Sequence, residues 1–197
     1  MEGRSTGLLP DPELEEHRSQ VAEQLALYSS YGTEPEVAQG LFAGVPQWLF
    51  HTVADRIGAS EGTLWFADDK RSHLTATVNP FNPTFVGFQQ PIDKGFISMV
   101  FATEQSLCEN EVYRHEEHDS VADLTVRKVT YAMIATPFYL GGEVRGILSF
   151  VQHKDDRDAK DPEGFSADHL GEVKLLARAL TNLAEGRLLK ILMGLGE

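Results

Sequence analysis

Few residues in this chain have the types and spacing that catalysis or metal binding requires. Cys108 is its single cysteine, so no intrachain disulfide can form. A free cysteine is usually a small buried hydrophobe, and a structural role is expected for this one. The densest set of metal-ligand types is Tyr113–Asp119, reading YRHEEHD. His115 and His118 flank two glutamates there, and imidazole with carboxylate suits zinc or a similar ion. The spacing is not the H-E-x-x-H of zinc hydrolases, and no third ligand is evident. His115 and His118 are metal candidates, and a solvated loop is the expectation. Nothing favours any one of His51, His73, His115 or His118 as a haem ligand. Asp68-Asp69 and Asp155-Asp156 are paired acids, each at a turn. Walker, C-x-x-C, kinase and cyclase motifs are missing, no catalytic residue is assigned and no cofactor is named.

The composition narrows the function classes further. Among 197 residues, 42% are apolar and 24% charged, as in an ordinary globular protein. The net charge of −13, with no long basic run, argues against nucleic acid as a partner. No apolar stretch reaches the ~20 residues that span a bilayer, and the N-terminus lacks the apolar region of a signal peptide. A cytoplasmic protein with no membrane partner is expected.

The elements that must position any site centre on Tyr131–His153. Two apolar runs, Tyr131–Leu140 and Val144–Val151, flank Gly141-Gly142, a strong hairpin signal. Both runs are apolar at nearly every position, which predicts central strands covered on both faces. Ahead of them, residues 1–12 read as a flexible leader and residues 13–32 as a helix that Asp11-Pro12 opens, with Leu14, Val21, Leu25 and Tyr28 on its apolar face. A second helical pattern runs from Thr33 to Ile57 through Val37, Leu41, Val45, Trp48, Leu49 and Val53; Pro46 should kink or break it. Strands are expected at Gly62–Ala67, Arg71–Val78, Phe85–Ile92 and Leu107–Val112. Short helices are expected at Phe96–Thr103 and Val121–Lys128, the latter capped by Asp119-Ser120. Lys154–Glu163 reads as a solvated loop. A long helix follows from near Ser166 to about Met193. Its stripe of Val173, Leu176, Leu180 and Leu183 shifts to Ala184, Leu188, Ile191 and Leu195, like a coiled-coil stutter. The order predicts an α+β domain: one antiparallel sheet, terminal helices on one face, short helices on the other.

Four segments resemble the GAF domain, a small-molecule sensory module. Ala54–Asp68 has its helix, small-residue turn and first strand. Gln90–Leu107 has its P-x-x-x-G, short helix and strand. Ala135–Phe150 has its glycine-punctuated hairpin, and Phe165–Ala184 its closing helix. The resemblance places residues 33–197 in one GAF-like domain and implies a six-stranded antiparallel sheet with a ligand pocket between it and the short helices. By family geometry the pocket is lined from Phe96 to Met99, along the helix that carries Val121 and Thr125, and at Tyr131 and Met133; Ser98 and Thr125 are its expected hydrogen-bond donors. Trp65 and Phe88 belong to an aromatic set, with Phe81, Phe85, Tyr113 and Phe138, that either walls such a pocket or fills the core. Three family chemistries fit poorly. Cys108 lies too early for a bilin attachment site. A sulfoxide reductase needs a resolving cysteine. Of the cyclic-nucleotide signature N-K…F…D-E, only Asn110 is present.

The functional expectation is a regulatory domain that senses a small molecule and signals through its terminal helices, as a homodimer or through a separate output protein. An alternative is a ligand-free dimerising adaptor whose pocket is plugged by Phe81, Phe85, Phe96 and Tyr131. A redox enzyme of the methionine sulfoxide reductase type is the third reading.

Overall fold

A computed structural model of the protein describes residues 12–195, apart from Glu117 and Asp119. The expected leader lies outside the described residues except for Pro12, as do Asp11, Asp119 and the Leu14 side chain. The N-terminal helix is interrupted after one turn, giving α1 (Pro12–Glu15) and α2 (Arg18–Tyr31). Leu25 and Tyr28 of α2 reach the core, whereas Val21 is exposed. Pro46 breaks the next pattern into α3 (Pro35–Leu41) and α4 (Val45–Ile57), and stands in the first turn of α4, where a missing N–H costs nothing. The break rephases the apolar face. Phe42, Phe50 and Ala54 become core residues, while Val37, Val45 and Trp48 are exposed.

β1 (Glu61–Ala67) and β2 (His73–Val78) follow. The Asp68 carboxylate accepts the N–H groups of Ser72 (2.6 Å) and His73 (2.9 Å), and Arg71 turns left-handed at φ 50°, so β2 starts later than expected. The expected third strand shrinks to β3 (Gln89–Pro91), because Pro83–Phe85 winds into a 3₁₀ turn and Gly87 takes φ 93°. Next come α5 (Gly95–Thr103) and β4 (Leu107–Asn110), the latter cut short by left-handed Glu111. α6 (Val121–Val126) likewise ends at left-handed Arg127. β5 (Val129–Leu140) and β6 (Glu143–Lys154) form the expected hairpin, and α7 (Ala167–Leu192) closes the fold from a Ser166–His169 capping box.

The sheet runs β3-β2-β1-β6-β5-β4 with every neighbouring pair antiparallel. Gly141 (φ 65°) and Gly142 (φ 81°) both take the positive φ of a two-residue turn, matching the twist of the strands they join. Terminal helices α2, α3, α4 and α7 cover one face, over a core that includes Phe42, Phe50, Phe66, Phe138, Phe150 and Leu180. α5 and α6 cover the other, against Trp65, Leu74, Ala135 and Ile147. The aromatic set is thus divided: Trp65, Phe85 and Phe88 belong to the second face, Phe81, Tyr131 and Phe138 to the first. The shifted stripe of α7 stays on its own domain through Ala184 and Leu188, and only Ile191 and Leu195 emerge beyond it. The start of the expected solvated loop is also a correction. Lys154 is buried, with Nζ donating to Asp161 Oδ1 (2.8 Å) and the Arg157 carbonyl (2.8 Å) over the Tyr113 ring. No helix among the described residues is long and apolar enough to cross a membrane.

Candidate functional site

Strands put every second side chain on one face. On β1 that rule presents Glu61, Thr63 and Trp65 to the short-helix side; on β6 it presents Ser149, Val151 and His153. A bulge in β5 between Thr130 and Ala132 brings Thr130 and Met133 to the same side. α5 adds Phe96 and Ile97; α6 adds Ala122, Asp123 and Val126. Together they enclose a cavity of about 70 Å³, room for a few waters or a small organic group. Trp65, Phe85, Phe96 and Met133 form its apolar wall.

Its polar floor carries two imidazole–carboxylate pairs. His118 Nε2 lies 3.0 Å from Asp123 Oδ2, with the side chains 9% and 12% exposed. Asp123 also accepts the Thr130 N–H (3.1 Å) and hydroxyl (2.6 Å). Burial pushes the Asp123 carboxyl up, but the hydrogen bonds from His118 and Thr130 outweigh it and hold the group below the usual carboxylate range. His153 Nε2 lies 3.5 Å from Glu61 Oε2, with side chains 8% and 13% exposed. Glu61 accepts from Asn79 Nδ2 (2.6 Å), which also donates to Thr63 Oγ1 (2.9 Å). Trp65 Nε1 donates to Ser149 Oγ (2.9 Å). His153 Nδ1 is buried and has no hydrogen-bond partner among the described residues.

No protein-family model matches the sequence, and no curated protein matches it significantly. Solved structures do match. The GAF domain of a phosphoenolpyruvate-protein phosphotransferase from Coxiella burnetii superposes with a TM-score of 0.61 at 16% identity, covering 86% of this chain and 97% of that one. The corresponding GAF domain from Acinetobacter gives 0.55 at 15%, covering 86% and 96%. The second GAF domain of DevS from Mycobacterium smegmatis gives 0.52 at 13%, covering 73% and 95%.

The chain has a GAF fold. At such identities the likeness fixes architecture and leaves the ligand open. The expected lining residues of this GAF fold are scattered. Trp65, Phe96 and Met133 line the cavity. Phe88 supports the wall from behind, stacked on Phe85 at 4.9 Å between centroids and edge-on to Trp65 at 6.2 Å. Ser98 is buried and donates to the Pro91 carbonyl (2.9 Å); with exposed Met99 it borders a neighbouring open groove. α6 turns Ala122, Asp123 and Val126 inward, so Val121 and Thr125 face outward, and the Thr125 hydroxyl donates to the Val121 carbonyl (3.0 Å). Tyr131 falls on the opposite sheet face because the bulge flips it there.

The histidine segment differs from the expected solvated loop. His115 is partly exposed and lies 3.4 Å from Glu109, whereas His118 is buried in the cavity wall. No group of three His, Cys, Asp or Glu side chains among the described residues is placed to hold a metal. Cys108 lies on β4, outside the cavity lining. Burial, then the Glu109 charge, push its thiol up, which disfavours the nucleophilic thiolate. Sequence reasoning missed Glu61, Thr63, Thr130, Ser149 and His153. The available signal was polar residues at alternate positions of otherwise apolar strands.

Proposed function

We propose that this GAF domain is a cytoplasmic regulatory sensor that takes a small molecule into the cavity beneath α5 and α6. The observation that supports this best is the cavity itself: an aromatic wall facing a buried polar floor in which His153 Nδ1 lacks a partner. Buried polar groups are normally paired, so a ligand or water is the natural complement. Signal would leave through β5 and β6, which touch the cavity on one face and bear α7 on the other. Exposed Val21 and Leu27 on α2, with Leu175 and Ile191 on α7, supply apolar surface for a homodimer or a separate output protein. Native mass spectrometry of protein purified from its own host tests the reading. A reproducible extra mass per subunit, lost on denaturation, is expected. The ligand-free adaptor has one observation in its favour, the small volume left between Phe85 and Phe96. A bare dimer in the same spectrum, with no small molecule captured from a metabolite extract, would select the adaptor.

A further inference from the structure

We propose that the cavity selects a small organic cation bearing N–H donors, an alkylammonium or guanidinium compound. This rests on the sensor reading above and names its ligand class. Two carboxylates, Glu61 and Asp123, stand in the lining, and no lysine or arginine among the described residues does. His153 Nε2 faces Glu61 Oε2 at 3.5 Å, and its Nδ1 is buried without a hydrogen-bond partner among the described residues. His118 Nε2 faces Asp123 in the same way. The floor's other N–H donors are directed at protein acceptors: Trp65 at Ser149, Asn79 at Glu61 and Thr63, Gln90 at the Lys94 carbonyl. The Thr63 and Ser149 hydroxyls can turn either way, but the two carboxylates accept.

A ligand that complements this floor must donate. The wall presents two carboxylates and no lysine or arginine among the described residues, screened little by solvent, so an anion is opposed and a cation favoured. The ring faces of Trp65, Phe85 and Phe96 attract the same charge. The volume of about 70 Å³ admits a head group the size of methylguanidinium.

Methylguanidinium, its neutral isostere methylurea, and acetate are titrated separately into the full chain at physiological salt, by calorimetry and by NMR. The expected result is binding of methylguanidinium at least tenfold tighter than methylurea, no acetate binding, and nuclear Overhauser contacts from the probe to the Met133 methyl and the Trp65 indole. Glu61→Gln keeps the acceptor for Asn79 and removes the charge; it should weaken the cation about tenfold. Asp69→Asn, on an exposed turn, should change nothing. The contacts on the unaltered protein decide the question should Glu61→Gln fail to fold. Methylurea or acetate seated against Met133 as tightly as the cation would overturn the charge selection and leave the sensor standing. Cation binding without those contacts, equal in Glu61→Gln, would place it on the acidic surface and overturn the proposal. No binding by any probe would also overturn it; the native mass spectrum then decides the sensor reading separately.

Discussion

Asp123 concentrates several roles in one side chain. It holds the start of β5 through Thr130, anchors His118, and contributes charge to the cavity. Its folded pKa lies below the ordinary value, so its contribution to stability is present above the unfolded carboxylate pKa and lost as pH falls through the folded one. Asp123→Asn should therefore cost about 2 kcal/mol at pH 7, the scale of a charged hydrogen-bond network. The gap from the unaltered protein should close in urea melts run at the acid end; a gap independent of pH would refute the charge argument. Gly146 is decisive in another way. A Cβ there would sit 1.8 Å from the Trp65 carbonyl oxygen, inside the β1–β6 pairing. Gly146→Ala should cost about 3 kcal/mol or more in chemical denaturation, since neither strand can yield without breaking the ladder.

Elements are held to one another by a few long side chains. Arg187 of α7 reaches the carbonyls of Gly40 (3.2 Å) and Ala43 (3.0 Å) and also that of Leu41, capping the end of α3 and the turn into α4. A cation at a helix C-terminus satisfies orphan carbonyls and the dipole together. Arg187→Met keeps much of the stem and loses the fork; a loss of about 2 kcal/mol is expected in urea unfolding. Lys154 does the same for the segment after β6. Lys154→Met should leave the sheet intact but raise hydrogen exchange across residues 155–164; unchanged exchange there would show that the Asp161 contact holds nothing. Helix α6 shows how little of a cavity's wall needs to be core. None of its six residues is fully buried, yet Asp123 ties it down. The α6 expectation was rotated by one position, since a six-residue amphipathic pattern does not define a face until its anchor is known.

At the scale of the molecule, the terminal helices leave apolar surface at their far ends. If Ile191 and Leu195 complete a homodimer, the double change Ile191→Glu, Leu195→Glu should convert dimer to monomer in sedimentation at micromolar concentration without lowering the unfolding midpoint of the isolated subunit. A native protein that is monomeric at every concentration would rule the dimer out. The sequence by itself determined the architecture. Gly141-Gly142 between apolar runs defined the hairpin, Pro46 the helix break, Ser166 and the apolar stripe the last helix, and four motifs in order the GAF fold. Those signals are local, because backbone sterics and side-chain periodicity act over two to four residues. Only the tertiary structure decided who belongs to the cavity. Glu61 pairs with Val151 across the sheet, so His153 lies diagonal to it, a meeting set by β1–β6 register. One bulge at Thr130 sent Tyr131 away and brought Thr130 in. Trp65, Phe96 and Met133 were legible because large apolar groups on central elements have few places to go. The polar floor was not, because its partners are far apart in sequence and meet only when register, bulge and helix rotation are all in place.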